Sequence, residues 1–95
     1  MQKNNLKIEE LTKLFKAGNL EESEKQTLEA LRVNTNSVEL YFLLGEIYSK
    51  KQQWGKAVNQ FRKVLDLDPE NKEAETRIKM ISSIFNFFNP DQFNP

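Results

Sequence analysis

The stretch VELYFLLGEIYSKKQQWGKAVNQFRKVLDLDPEN, residues 38–71, decides the fold. Bulky and small residues recur in it at set spacings: Tyr41, Leu44, Gly45, Tyr48, Trp54, Ala57, Phe61 and Pro69. Two helices that cross closely need a small residue on each and large side chains around the contact. Gly45 and Ala57 are the small residues here, and Tyr41, Leu44, Tyr48 and Phe61 are the large ones. The spacing predicts a helix over about 37–51, a short turn at Gln52-Gln53 and a second helix over about 54–67. Asp68-Pro69-Glu70-Asn71 then ends the pair, because proline disfavours helix at the residue before it. The apolar run Leu40 to Leu44 is wider than one stripe, so the first of these helices should be the most buried in the chain.

On the N-terminal side, Leu6, Ile8, Leu11, Leu14 and Phe15 recur at roughly helical spacing over 4–16. Ala17-Gly18-Asn19 ends that segment. Gly18 suits a left-handed C-cap, and Asn19 with Glu22 forms a capping-box-like start to the next helix. Leu20, Leu28, Leu31 and Val33 give this second helix its apolar content, and Asn36 with Glu39 repeats the start signal. On the C-terminal side, Asn71 suits the cap of a helix carrying Ala74, Ile78, Ile81 and Phe85 on one face. A shift of 34 residues superposes the first two helices on the next two. Gly18 then falls on Gln52, Leu20 on Trp54, Ser23 on Ala57 and Ala30 on Val64.

This constellation closely resembles the tetratricopeptide repeat (TPR) family in residues 38–71. The resemblance implies an all-α fold: two TPR helix–turn–helix repeats and a C-terminal capping helix, five antiparallel helices in a short right-handed superhelical array. It divides a single domain, 1–95, into a degenerate first repeat at 4–37, a well-matched second at 38–71, a capping helix at 72–88 and a tail at 89–95. The first copy departs from the family where Leu11 replaces the small residue, Thr27 the aromatic one, and Lys7 stands where the second copy has Tyr41. Terminal repeats are often atypical because one face meets water. The ending Asn89-Pro90-Asp91-Gln92-Phe93-Asn94-Pro95 is similar to that of small bacterial TPR proteins, a likeness that brings no activity with it.

Composition excludes several other classes of work. The 95 residues carry 14 basic and 14 acidic side chains, balanced along the chain, so no segment offers a basic footprint for nucleic acid or an anionic membrane. Cysteine and histidine are absent, which removes thiol chemistry, the usual zinc sites and the ordinary neutral-pH acid–base residue. The three glycines are isolated, so there is no phosphate loop. Asp66 to Asn71 superficially resembles a calcium loop but lacks the central glycine and the closing bidentate acid. No catalysis, metal, cofactor or small-molecule substrate is expected. No apolar run reads as a signal peptide or membrane span, which makes the cytoplasm the expected compartment and membrane insertion unexpected.

The resemblance implies where function would sit. In TPR folds the first helix of each pair lines a concave face, and this face takes a peptide or protein segment. Here the lining residues would be Ile8, Thr12 and Phe15, then Glu39, Phe42 and Glu46, then Arg77 and Met80, with Asn5, Ser49, Glu73 and Thr76 beside them. The expected role is that of a non-catalytic adaptor or scaffold. Chaperone-binding relatives clamp a C-terminal carboxylate with two lysines, two asparagines and an arginine. The corresponding residues here are Ile8, Thr12, Leu43, Glu73 and Arg77, of which only Arg77 matches. Binding of that kind of tail is therefore not expected. A second feature opens an alternative: Ile84, Phe85, Phe87, Phe88 and Phe93 cluster in an otherwise polar chain. Burying one phenylalanine side chain is worth about 1.5–3 kcal/mol. These aromatics would fold back on the domain, build a homodimer as a self-assembly module, or dock another protein.

Overall fold

The computed structural model describes residues 3–88, and the side chains of 7–85. Among these residues run five α-helices: α1 (Lys3–Lys16), α2 (Leu20–Val33), α3 (Val38–Lys50), α4 (Trp54–Leu67) and α5 (Lys72–Phe88). The α1–α2 corner closes at Gly18, whose φ is +87°. Its N–H donates to Phe15 O and the Asn19 N–H to Leu14 O, both at 3.0 Å, the paired closure that satisfies the last carbonyls of a helix. The α3–α4 corner repeats this 34 residues later. Gln52 stands at φ +61°, its N–H donates to Ser49 O, and the Gln53 N–H donates to Tyr48 O, both at 2.9 Å. A glutamine thus occupies a left-handed position that glycine fills in the earlier corner.

Helix starts follow backbone geometry more closely than residue type. Ser37, extended at φ −87° and ψ 109°, accepts the Leu40 N–H on its hydroxyl at 3.2 Å, so it caps α3 in place of Asn36. Asn71 caps α5 as expected, its Oδ1 accepting from Ala74 N at 2.9 Å. The Asn19–Glu22 box does not form. The corner closure holds Asn19 at ψ 69°, short of the extended value that aims a capping side chain at the helix, and it makes no cap hydrogen bond. Glu22 instead accepts from Gln26 Nε2 at 2.7 Å.

The core is centred on α3, which buries Leu40, Leu43, Leu44, Gly45, Ile47 and Tyr48, the largest buried set of the described helices. Its close partner is α4. A Cβ placed on Gly45 would lie 2.7 Å from Cε1 and Cζ of Phe61, so the α3–α4 crossing exists at this separation because Gly45 has none. Ala57 and Phe61 are fully buried at the same contact. Trp54 is half-buried against this core. Leu11 of α1, Leu31 of α2, and Ala74 and Ile81 of α5 extend the core in both directions.

In α2 the buried stripe is Ser23, Thr27, Ala30 and Leu31, whereas Leu28 and Val33 are 41% and 82% exposed. Positions 23, 27, 30 and 31 share one helical face, and Leu28 and Val33 fall outside it. The hydroxyls of Ser23 and Thr27 are buried without a hydrogen-bond partner among the described residues. Lys51 ties α3 back to α2, its Nζ lying 2.5 Å from Glu24 Oε1 and 3.1 Å from Glu21 Oε2. Those hydrogen bonds, Glu24 first, raise the Lys51 pKa above the ordinary lysine value. Burial, with the charge of Glu24 behind it, pushes the Tyr48 phenol upward.

Candidate functional site

Helices α1, α3 and α5 stand side by side and leave a groove between them of about 760 Å³. Helices α1 and α3 contribute side chains at helical spacing, and α5 contributes Glu73. Ile8, Thr12 and Phe15 lie three to four residues apart on α1, and Glu39, Phe42 and Glu46 do so on α3, so each set shares a face. The floor is apolar: Ile8, Phe15, Val38 and Phe42 are half-buried and pack on the core, and Leu43 is buried beneath them. A groove of this size, with an apolar floor and polar or charged side chains around it, suits a short segment of chain. A shallower recess of about 500 Å³ shares Ile8, Asn36 and Glu39 with it and runs on to the exposed Val33.

Phe42 is held on two sides. Its ring meets Phe61 edge-on at 5.2 Å and 66°, and the Arg77 guanidinium of α5 lies 5.4 Å from its centroid. Arg77 Nη2 also donates to Glu46 Oε2 at 2.7 Å, so a carboxylate and an aromatic face together fix one cation across α3 and α5. A partly exposed cation–ring contact of this kind contributes about 0.5–1 kcal/mol. Thr12 spends its hydroxyl hydrogen on the Ile8 carbonyl at 2.8 Å, so it presents its methyl and lone pairs to the groove.

Of the residues expected on the concave face, the structure brings Ile8, Thr12, Phe15, Glu39, Phe42, Glu46 and Glu73 to one cavity. Arg77 reaches its edge through Glu46 and Phe42. Met80 is 54% exposed on α5 and is not among the residues lining the cavity. Sequence reasoning missed one wall, built by Leu67, Asp68 and Asn71 at the α4–α5 corner, and also missed Lys16 and Asn36. The Asn71 capping signal marks that corner, but only the packing of α5 on α4 turns it toward the groove. Asn71 Nδ2 donates to Asp68 Oδ2 at 3.1 Å, which holds the corner together.

The aromatic cluster falls partly outside this description. Ile84 is half-buried, and Phe85 packs against the core. The side chains of Phe87 and Phe88, and all of Phe93, lie outside the described residues. Among the described residues no helix is long and apolar enough to cross a membrane. Nor, among them, does any group of three or more carboxylates stand where it could hold a metal ion.

Residues 38–71 match the family model of the tetratricopeptide repeat. The matched window is α3, its turn, α4 and the α4–α5 corner, the part of the chain built around the Gly45–Phe61 crossing. Among curated proteins, none matches the chain.

Proposed function

We propose, from a chain that carries a tetratricopeptide repeat and is thereby a protein-interaction module in general kind, that this one binds a peptide or protein segment in the groove between α1, α3 and α5, without catalysis. The observation that carries the reading is the apolar floor of Ile8, Phe15, Val38 and Phe42, open within a groove of about 760 Å³. Apolar side chains left at a concave surface are anchor points for a partner, and aromatic ones contribute most. Residues 4–37 serve as a degenerate first repeat, and 72–88 as a cap that closes the apolar edge of α4 while supplying Arg77 to the groove. The equal spacing of the two left-handed corners, Gly18 and Gln52, supports this division.

The test is a quantitative pull-down from a lysate of the source cell, comparing the native chain with Phe42→Ala. Proteins bound by the first and lost from the second, with helicity unchanged by circular dichroism, support the groove. Full retention of the same set by Phe42→Ala counts against it.

A further inference from the structure

We infer that the segment received by the groove is a basic one, carrying lysine or arginine beside apolar anchors; this rests on the reading of the groove as the binding site. Four carboxylates stand at the groove: Glu39, Glu46, Asp68 and Glu73. Two cations face them, and they differ in kind. Arg77 is already committed to Glu46 at 2.7 Å, and Lys16 lies at the far end, after Phe15 on α1. Asp68 takes the Asn71 amide. Glu39 and Glu73 are exposed and form no hydrogen bond or ion pair among the described residues.

Those two carboxylates are 34 residues apart and hold the same place in the first turn of α3 and of α5, so they flank one mouth of the groove. From there to Glu46 is about two helical turns, roughly 10 Å along α3. The groove is thus apolar along its floor and negative at the mouth where its acids have no partner. The recess that continues past Glu39 adds Val33 and the neutral Asn34, Thr35 and Ser37, and no cation that would pair with Glu39. Arg77 already illustrates the combination of acid and apolar floor, seated between a carboxylate and the Phe42 ring. The chain's own 86–95, NFFNPDQFNP, brings three phenylalanines and one aspartate but no lysine or arginine. Its apolar part fits the floor and its charge does not fit the mouth.

The experiment selects short random peptides displayed on phage against the immobilised full chain, then measures the Kd of selected peptides by fluorescence anisotropy. Three forms of the protein are compared: the native chain, Ile8→Ala/Phe42→Ala, and Glu39→Gln/Glu73→Gln, each checked for native helicity. Lysine and arginine should be enriched over the input library. The floor variant should lose binding. Neutralising the two exposed acids should weaken binding about threefold to tenfold, the effect of exposed ion pairs, and flatten its salt dependence. Peptides that need the floor but are neutral or acidic, or a Kd unmoved by Glu39→Gln/Glu73→Gln, overturn the basic partner and leave the groove standing. Peptides held equally by the floor variant, or none recovered at all, overturn the groove and this inference with it. Displacement of a selected basic peptide by synthetic 86–95 would make the chain's own tail the occupant and also overturn the inference.

Discussion

Gly45→Ala tests the packing on which both the crossing and the groove depend. The added methyl would sit 2.7 Å from Cε1 and Cζ of Phe61 and 2.9 Å from Cδ1. Carbon atoms rest at about 3.5–4.0 Å, so the ring or the helix must retreat by roughly 1 Å. The ring has no slack: Phe61 is fully buried and backed edge-on by Phe42. Overpacking of this kind costs about 1–3 kcal/mol. Alanine offsets part of it, being about 1 kcal/mol better than glycine inside a helix. The expected net loss is about 1 kcal/mol, a fall in Tm of about 4–8 °C for a domain of this size. Urea and thermal unfolding followed by far-ultraviolet circular dichroism measure it. The decisive comparison is the same change in a Phe61→Leu background. There the clash is relieved and only the helical preference remains, so Gly45→Ala should stabilise by about 1 kcal/mol. The two backgrounds thus differ by about 2 kcal/mol of coupling. A Gly45→Ala protein more stable than the native chain, or an identical effect in both backgrounds, would refute the close crossing.

Ser23→Ala should stabilise by about 1–2 kcal/mol in the same unfolding assay, because it removes a buried unpaired hydroxyl and improves helix preference; a loss of stability would mean that the hydroxyl has a partner. Gln52→Gly should gain roughly 0.5–1 kcal/mol, since an L-residue pays for its left-handed φ of +61°, and Gly18→Ala should lose a similar amount; equal stability in both would remove the strain argument. The Tyr48 pKa is raised above 10.0 by burial and by Glu24, so its contribution to stability is present below the unfolded tyrosine value and is lost as pH rises through the folded one. In a Tyr41→Phe variant, where Tyr48 is the remaining tyrosine, phenolate absorbance should therefore appear at higher pH than in unfolded chain, and coincidence of the two curves would contradict the burial. Calorimetric titration with an acidic peptide ending in a free carboxylate should show no micromolar binding, because Arg77 is occupied by Glu46 and unpaired acids face the groove; measurable heat of binding would refute that.

Where the sequence was legible, the reason is that steric demand left few alternatives. Gly45 and Ala57 announced a close crossing because a small residue beside Leu44 and Phe61 has little other use in a helix. Gly18 announced its corner, yet Gln52 fills the equivalent corner silently, since glutamine carries no mark of positive φ. Hydrophobicity alone does not mark the buried face of α2, where the thin layer between α1 and α3 takes Ser23 and Thr27 and leaves Leu28 and Val33 outside. In the groove, the resemblance to the repeat family pointed to Ile8, Thr12, Phe15, Glu39, Phe42 and Glu46, and helical spacing puts the members of each set on one face of its own helix. The Leu67–Asn71 wall and the seat of Arg77 on Phe42 were not legible, as both depend on how α5 is set against α4 and α3.

The stack from Gly45 through Phe61 to Phe42 joins the α3–α4 crossing to the groove surface in two contacts. If the groove binds as proposed, ligand specificity and foldability are written in the same side chains. Random drift at Phe42 has little freedom, because a larger or smaller ring is registered by Phe61 and the crossing behind it. Diversification of this groove would begin instead at its rim, at Glu39, Glu73 and Asn36, where exposed side chains can be exchanged while the crossing stays intact.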